Sequence, residues 1–232
     1  EQANAGEPVL LIGHDWGAIN CWQFVQRHPE MVSRLINMSV PLRPVADVPP
    51  IEFLRGYFGE NFFYQIYFQQ PGVAEAEFDA DPEGILRALY CSPDTPRDPP
   101  LLGRSTKEGG GWIGRLGKPT QQPDWVTDEA LNYYIDAYRH SGFAGGINYY
   151  RNFDENWRLM LPWRDSPITC PVLFIVGSAD MTIQGASENK LREMMSDRLP
   201  DVQIKMLQGK GHWIQSEATA DVNAAMLAFL AV

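Results

Sequence analysis

The stretch Val9-Leu10-Leu11-Ile12-Gly13-His14-Asp15-Trp16-Gly17 decides the fold class of this 232-residue chain. Its apolar start, residues 9–12, ends at a glycine and is typical of a buried strand in a parallel sheet. Residues 16–27 then carry apolar side chains at helical spacing, until His28-Pro29 ends the helix. Residues 35–40 form the next predicted strand. The order strand, sharp turn, helix and strand predicts a βαβ unit of a parallel sheet.

The turn in this unit, Gly13-His14-Asp15-Trp16-Gly17, fits the G-x-Nu-x-G pattern of a nucleophile elbow. Such a turn strains the backbone of its central residue, so close neighbours must be small, and Gly13 and Gly17 meet that need. The Asp15 side chain is expected above the N-terminus of the helix, where the helix dipole favours an anion. The alternative is a chance Gly-x-x-x-Gly turn that carries no chemistry.

An aspartate at the elbow predicts different chemistry from a serine. A serine needs a base to become nucleophilic, whereas a carboxylate is already ionised at neutral pH. The carboxylate of Asp15 is a weak nucleophile toward esters, but it can displace a leaving group at sp3 carbon. The product is an alkyl ester of the enzyme, which water must then hydrolyse at the carboxyl carbon. A histidine base is therefore needed mainly for the second step.

Two loops near the C-terminus carry candidate partners for Asp15. Gly209-Lys210-Gly211-His212-Trp213 follows a predicted strand at 202–207, and its glycines give His212 the freedom to reach the elbow. Asp180 follows a predicted strand at 172–176 and can accept the Nδ1–H of the histidine, which fixes its tautomer. The chain order of nucleophile, acid and histidine matches the order in enzymes that have a nucleophile elbow. The alternatives are a surface loop histidine and an aspartate that only caps a turn.

The other three histidines are weaker candidates for the base. His14 is next to the nucleophile, but at a turn position whose side chain is expected to point elsewhere. His28 and His140 lie at the ends of predicted helices, where a capping role or the helix dipole accounts for them. His212 is therefore the preferred base.

The middle of the chain differs from its two ends in amino-acid composition and pattern. Residues 41–50 form a proline-rich linker, and aromatic helical segments then alternate with Gly/Pro-rich stretches to about residue 163. Residues 92–118 are dense in breakers and predict a long loop, while 127–140 predict a helix capped by Thr127 or Asp128. Beyond this block, helices are predicted at 186–195 and 219–230. We predict an α/β core at 1–45, an inserted helical lid at 46–165, and the rest of the core at 166–232.

Three segments together resemble one known family. Residues 13–17 resemble the nucleophile motif shared by soluble epoxide hydrolases and haloalkane dehalogenases of the α/β-hydrolase fold. Tyr64-Gln65-Ile66-Tyr67-Phe68-Gln69-Gln70-Pro71-Gly72 is similar to the first lid-tyrosine segment of the soluble epoxide hydrolases. Asn148-Tyr149-Tyr150-Arg151-Asn152 is similar to the second. The resemblance covers the chain from about residue 9 onward, and it implies a mostly parallel sheet flanked by helices, with a helical lid.

This resemblance also implies an activity and site residues. Asp15 would open an epoxide while the hydroxyls of Tyr64 and Tyr150 bind its oxygen, and the product would be a vicinal diol. Two phenol donors suit an oxygen on which negative charge develops. The main-chain N–H of Trp16 would supply part of the oxyanion hole, and its indole, with Tyr149, would line the substrate pocket. Without the resemblance, packing is the preferred interpretation of both tyrosines. The chemistry needs no cofactor and no metal.

Two other functions stay open for this sequence. A haloalkane dehalogenase has the same three catalytic residue types, but it needs a second halide-binding donor and no tyrosine pair. A catalytically silent protein of the same fold would bind a ligand without turning it over. The complete set of Asp15, Asp180 and His212 argues against the silent protein.

The segment before the elbow is shorter than the resemblance leads us to expect. The family has strands there and a His-Gly-x-Pro loop whose backbone completes the oxyanion hole, and nothing similar precedes Val9. We expect that the N-terminal part of the domain is missing. Either a preceding part belongs to the same polypeptide, or these residues are a fragment or a cleaved chain, which we favour, or a second chain supplies the strands; a homodimer is also open.

Composition narrows the partners. A net charge of −10 argues against nucleic acids and anionic membranes but does not identify a partner. The small-molecule epoxide is the partner that the family resemblance implies. The three cysteines are odd in number and widely spaced, which is typical of reduced thiols in a cytoplasmic protein. Because residues 1–4 are polar, we do not expect them to open a signal peptide, and no apolar run in the sequence is long enough to cross a bilayer.

Overall fold

The computed structural model describes residues 6–231, and its helices and strands alternate at both ends of the chain. Short 3₁₀ turns lie between some of the elements. The elements follow one another in the order β1 (Val9–His14), α1 (Trp16–Arg27), β2 (Val32–Met38), α2 (Pro50–Phe58), α3 (Tyr64–Tyr67), α4 (Val73–Ala80), α5 (Pro82–Leu89), α6 (Ile113–Leu116), α7 (Asp128–Ser141), α8 (Ala144–Arg151), α9 (Phe153–Met160), β3 (Val172–Gly177), α10 (Glu188–Met195), β4 (Val202–Leu207), α11 (Ile214–Glu217) and α12 (Thr219–Leu230).

The chain divides into two compact units. The first contains the residues up to Val45 together with those from Met160 onward, and the second is Ala46–Leu159. Residues 160–165, which the sequence analysis assigned to the lid, belong to the first unit. Within residues 6–231, each helix is too short or too polar to cross a bilayer.

The first unit is built on a four-stranded sheet in the order β1-β2-β3-β4. All neighbouring pairs are parallel, as the strand–helix–strand pattern predicted. The carboxyl ends of the strands therefore meet at one edge of the sheet, and the loops that leave them are neighbours. This edge is where the elbow, the Asp180 loop and the His212 loop all begin.

Both faces of the central strands are covered, which explains their apolar sequences. On one face, Phe174 of β3 packs with Val25 of α1 and Leu191 of α10. On the other face, Ile175 packs with Phe229 of α12. Strand β3 is buried along its whole length, because successive side chains point into two different apolar layers.

Strand β2 corrects one predicted boundary. The sequence predicted a strand at 35–40, but β2 starts at Val32, where it already pairs with Val9, and ends at Met38. It ends there because Ser39 takes a left-handed backbone with φ 68°, which a strand cannot contain. The bounds of α1, β4 and α12 agree with the prediction.

Strand β1 pairs with β2 and with no other strand among residues 6–231. Its Leu10 and Ile12 are 37% and 49% exposed. These two side chains share one face of the strand, since alternate residues of a strand point to the same side. One face of β1 is therefore open in the part of the chain that the structure describes.

The second unit is helical and has its own apolar core. Phe68, Phe78, Ile85, Leu131 and Ile147, from five helical segments or their ends, meet in this core. The predicted helix at 127–140 is α7, and the Thr127 hydroxyl caps it by accepting the N–H of Ala130. Because an uncapped helix leaves its first N–H groups unpaired, this contact sets where α7 begins.

The long loop predicted at 92–118 is interrupted by helix α6, and the rest of it has an internal scaffold. Arg115 donates to main-chain oxygens within the loop and lies over the Phe62 ring, 4.3 Å from its centroid. The oxygens that it binds are those of Ser105, Gly109, Gly110 and Gly111. One guanidinium thus replaces the hydrogen bonds that a helix or strand would have provided.

Candidate active site

Asp15 lies at a sharp, strained turn between β1 and α1. Its backbone has φ 53° and ψ −118°, outside the regions that a non-glycine residue favours. A Cβ added to Gly13 would lie 2.5 Å from the carbonyl oxygen of Gly17, so only glycine fits at position 13. An added Cβ at Gly17 would meet no described atom within 4 Å. The prediction that small neighbours are required therefore holds for Gly13 and is wrong for Gly17.

The structure brings Asp15, His212 and Asp180 together. His212 Nε2 lies 3.3 Å from Asp15 Oδ1, and His212 Nδ1 lies 3.1 Å from Asp180 Oδ2. The Asp180 side chain is 1% exposed, whereas the His212 side chain is 28% exposed. The imidazole thus bridges a buried carboxylate and a partly open one, as the sequence predicted for a base between its orienting acid and the nucleophile.

Close approach of two loops places Asp180 beside the histidine. A Cβ added to Gly177, at the end of β3, would lie 2.2 Å from the main-chain oxygen of Lys210. The N–H of Ala179 donates to that same oxygen at 3.0 Å. Asp180 Oδ1 accepts the N–H of Thr182 at 2.9 Å, so the carboxylate is oriented from its own loop as well.

The main chain of the His212 loop is held by side chains that were not predicted as site residues. The Glu217 carboxylate accepts the N–H groups of Gly211 and Trp213, at 2.8 and 3.0 Å. The His212 carbonyl accepts from Ser39 Oγ at 2.7 Å. Glu217 follows the histidine closely in the chain, so its position beside a glycine loop was a usable signal. Ser39 gave none, since it is far away in sequence.

The same carbonyl accepts a second hydrogen bond, from His14 Nε2 at 2.8 Å, and the His14 and His212 ring centroids are 4.9 Å apart. The expectation that His14 points away from the site is therefore wrong. Strand β1 extends through His14, so the sharp turn begins only at Asp15. His14 keeps the orientation of a strand residue and faces the His212 loop.

The two carboxylates control the ionisation of His212. Burial alone lowers the pKa of His212, but hydrogen bonds to Asp15 and Asp180, and the charges of both, outweigh burial and raise it to about 9. Burial in turn raises the pKa of both aspartates, but the hydrogen bond and charge of His212 outweigh it and leave both below their usual value. Burial lowers the pKa of His14. At neutral pH the site holds an imidazolium between two carboxylates.

Trp16 contributes its main chain to the site. Its N–H hydrogen-bonds to the Asp15 carboxylate and helps to lower the pKa of that group. Trp16 is the first residue of α1, so this N–H belongs to the end of the helix that favours negative charge. The donor already faces an oxygen of Asp15.

Tyr64 and Tyr150 are neighbours in the second unit. Their ring centroids are 5.6 Å apart at an interplanar angle of 79°, and Phe68 packs edge-on against both. Trp112 stacks on Tyr64 at 4.6 Å and 8°. The Tyr64 hydroxyl accepts from Gln65 Nε2 at 2.9 Å. Two tyrosines that are far apart in the sequence thus meet in one aromatic cluster.

The adjacent tyrosines differ from this pair. The Tyr67 hydroxyl donates to Glu77 at 3.1 Å, and burial and the Glu77 charge raise the pKa of Tyr67. Tyr149 is 48% exposed. The Tyr67 hydroxyl is therefore committed to a structural contact, while Tyr149 keeps much of its surface open.

The parallel sheet, the elbow and the Asp–His–Asp set define a class of protein. The chain belongs to the alpha/beta hydrolase family, whose model matches residues 1–225. Within that family it is similar to epoxide hydrolases over nearly its whole length, which confirms the resemblance read from the elbow and the tyrosine segments.

Two relatives illustrate this similarity. Epoxide hydrolase A of Mycobacterium tuberculosis is 39% identical over 97% of this chain and 69% of its own length. Epoxide hydrolase 3 of Siraitia grosvenorii is 36% identical over 97% of this chain and 70% of its own.

Solved structures agree with these relatives. The crystal structure of epoxide hydrolase A from Mycobacterium thermoresistibile superposes with a TM-score of 0.85 at 37% identity, covering 97% of this chain and 69% of that one. Potato epoxide hydrolase I superposes with a TM-score of 0.81 at 27% identity, covering 98% and 71%. Together the matches support an enzyme with epoxide hydrolase activity.

Proposed function

We propose that this enzyme opens a small-molecule epoxide to a vicinal diol through an alkyl ester on Asp15, which water activated by His212 then hydrolyses. The observation that carries the proposal is the position of the His212 imidazole, 3.3 Å from Asp15 and 3.1 Å from Asp180. A base held this close to a carboxylate nucleophile is placed to deliver water to that carboxyl carbon.

The first step uses Asp15 as the nucleophile. Its lowered pKa keeps the carboxylate ionised at neutral pH. One carboxylate oxygen forms a bond to an epoxide carbon, and the carbon–oxygen bond of the ring breaks. Tyr64 and Tyr150 donate hydrogen bonds to the leaving oxygen, and one of them transfers a proton to it. The enzyme then carries a neutral ester and one tyrosinate.

Loss of the Asp15 charge prepares the second step. In the free enzyme two carboxylates hold His212 in its protonated form. Conversion of Asp15 to an ester removes one of these anions, so the pKa of His212 falls and its proton is released to the tyrosinate through solvent. The neutral imidazole that results can act as a base only after the ester has formed.

In the second step His212 takes a proton from water while the water oxygen attacks the ester carbon of Asp15. Negative charge develops on the carboxyl oxygen, and the Trp16 N–H, which hydrogen-bonds to this carboxylate, stabilises it. Asp180 accepts the Nδ1–H of His212 and stabilises the imidazolium. Collapse of the intermediate breaks the ester bond, and the departing alkoxide takes the second proton of the attacking water. The diol is released, Asp15 is again a carboxylate and His212 is again an imidazolium.

A single-turnover experiment in ¹⁸O-labelled water tests this route. Because water attacks the carboxyl carbon, one labelled oxygen is expected in Asp15, detected by mass spectrometry of the elbow peptide. The diol from the first turnover is expected to contain an unlabelled oxygen from Asp15. Label that enters the diol directly, with none in Asp15, would sink the ester mechanism.

Two variants complete this test. Asp15→Asn is expected to abolish diol formation, because a neutral amide is a far poorer nucleophile than a carboxylate. His212→Gln is expected to form the ester and retain it, since the base acts after ester formation. Wild-type turnover in Asp15→Asn would contradict the role of Asp15.

The remaining parts of the proposal concern location and partners. We propose a cytoplasmic enzyme, since Cys21, Cys91 and Cys170 are all free thiols, as a reducing compartment maintains them. The acidic net charge of −10 supports a small neutral substrate over nucleic acid.

A further inference from the structure

We propose that Glu217, Ser39 and His14 are positioning residues that hold the main chain of His212 from two sides and thereby set the rate of ester hydrolysis. This inference rests on the proposed function of His212 as the base for that step. It adds residues that touch the base loop rather than the substrate.

The Glu217 carboxylate holds the main chain of His212 from the first side. It accepts the N–H groups of the residues immediately before and after His212, namely Gly211 at 2.8 Å and Trp213 at 3.0 Å. These N–H groups lie next to the start of α11, where a helix cannot pair its first donors. A charged acceptor makes both bonds stronger than neutral ones. Glu217 therefore pins the backbone on both flanks of the base.

The Ser39 hydroxyl holds the main chain of His212 from the second side, since it donates to the His212 carbonyl at 2.7 Å. Ser39 is fully buried, and its backbone at φ 68° is strained for a serine. Its N–H donates to Ile175 of β3 at 3.0 Å, and its carbonyl accepts from Thr182 Oγ1 at 2.7 Å. Since Thr182 also donates to Asp180, Ser39 connects the base loop to the loop of the orienting acid.

His14 donates to the same His212 carbonyl, at 2.8 Å. A carbonyl can only accept, so this contact requires the proton of His14 to lie on Nε2. The charged or titratable groups that face His14 are Asp15, Asp180 and His212. With Ser39, His14 gives one carbonyl two donors from two different strand ends.

The position of the His212 loop matters because the imidazole must reach the water that attacks the ester carbon of Asp15. A displacement of about 1 Å in a catalytic group can cost on the order of 100-fold in rate. Ester formation needs the Asp15 carboxylate, whereas ester hydrolysis needs the Nε2 lone pair of His212. Loosening the His212 main chain should therefore slow the second step and leave the first nearly unchanged, which a general loss of structure would not do.

Single-turnover kinetics with an aryl epoxide separate the two steps. Tryptophan fluorescence follows formation and decay of the ester in Glu217→Ala, Ser39→Gly and the wild-type protein. Glycine is used at Ser39 because it removes the hydroxyl and accepts the left-handed backbone. Decay is expected to slow about tenfold in each variant while formation stays within about twofold of wild type. Glu217→Gln keeps one acceptor oxygen and should recover part of the loss.

Ser187→Ala is the matched control. The Ser187 hydroxyl also accepts a main-chain N–H in the first unit, at the start of α10, so its loss tests general destabilisation. Ester decay is expected to be unchanged in this control.

The outcomes distinguish this inference from the function on which it rests. Equal slowing of formation and decay, or normal decay in Glu217→Ala and Ser39→Gly, would overturn the positioning role. If neither the wild-type protein nor His212→Gln ever forms the ester, the proposed function itself fails. A second readout is the pKa of His212 by NMR. This pKa should fall below about 9 in Glu217→Ala and Ser39→Gly, because the imidazole moves away from its carboxylates. It should remain at about 9 in Ser187→Ala.

Discussion

His212 Nε2 lies 3.3 Å from Asp15 Oδ1, so the proposed base and the proposed nucleophile form an ion pair in the free enzyme. The pair has opposite effects on its two members, since it keeps Asp15 ionised and keeps His212 protonated. In the proposed mechanism, Asp15 is therefore ready to attack before substrate arrives, whereas His212 cannot act as a base until it loses its proton. This order of events suits a reaction in which attack precedes hydrolysis.

Replacement of Asp15 by asparagine should lower the pKa of His212. Asparagine resembles the ester in shape and carries no charge, so His212 keeps only the attraction of Asp180 and falls below its value of about 9. Titration of the imidazole signals by NMR measures this, with His212→Gln to assign the peak. An unchanged pKa would show that Asp15 does not control the ionisation of the base.

The stability of the protein should decline on the alkaline side of neutrality because of His212. The pKa of His212 is raised from 6.5 to about 9, so its contribution to stability is complete below 6.5 and is lost as the pH rises through about 9. The two aspartates have lowered pKa values, so their contribution is present above 3.8 and is lost as the pH falls further. The free energy of unfolding should be largest between these limits.

Urea unfolding at a series of pH values measures this effect. His212→Gln removes the titrating group, so the difference in unfolding free energy between wild type and variant should shrink between pH 6.5 and about 9. A constant difference across that range would contradict the raised pKa.

The two lid tyrosines should act in epoxide opening and not in ester hydrolysis. Phenylalanine at Tyr64 or Tyr150 removes one donor to the leaving oxygen, and loss of such a donor costs about 10²–10³-fold in rate. Ester formation from an epoxide should fall accordingly, while decay of the ester stays unchanged. Tyr133→Phe is the control, since Tyr133 is 72% exposed in the same unit.

The same variants separate the two enzyme classes. If Tyr64→Phe and Tyr150→Phe retained full epoxide opening while the wild-type protein released halide from alkyl halides, the dehalogenase would become the better interpretation.

The two glycines of the elbow should respond differently to alanine. A methyl group at Gly13 would overlap the Gly17 carbonyl at 2.5 Å, whereas one at Gly17 meets no described atom within 4 Å. Gly13→Ala should lose about 1–3 kcal/mol or more of unfolding free energy, the usual cost of overpacking. Gly17→Ala should unfold at nearly the wild-type urea concentration. Similar stability of both variants would show that the elbow can relax.

Local patterns were sufficient for much of this fold. The apolar run at β3 is a fully buried strand because helices cover both faces of the parallel sheet there, and that requirement is visible in the single segment. The end of β2 was not predictable in this way. It depends on the left-handed backbone of Ser39, which its contacts with β3 and the His212 loop hold in place.

The sequence by itself determined the α/β class, the elbow at Asp15 and the choice of Asp180 and His212, because each is written in a short motif after a strand. Tertiary structure alone decided that His14 and Ser39 bind the His212 carbonyl, across 198 and 173 positions of the chain. The physical reason is strand order. Since β2 lies between β1 and β3, its last residues reach the same sheet edge as the Asp180 loop and the His212 loop, and no local pattern encodes that adjacency.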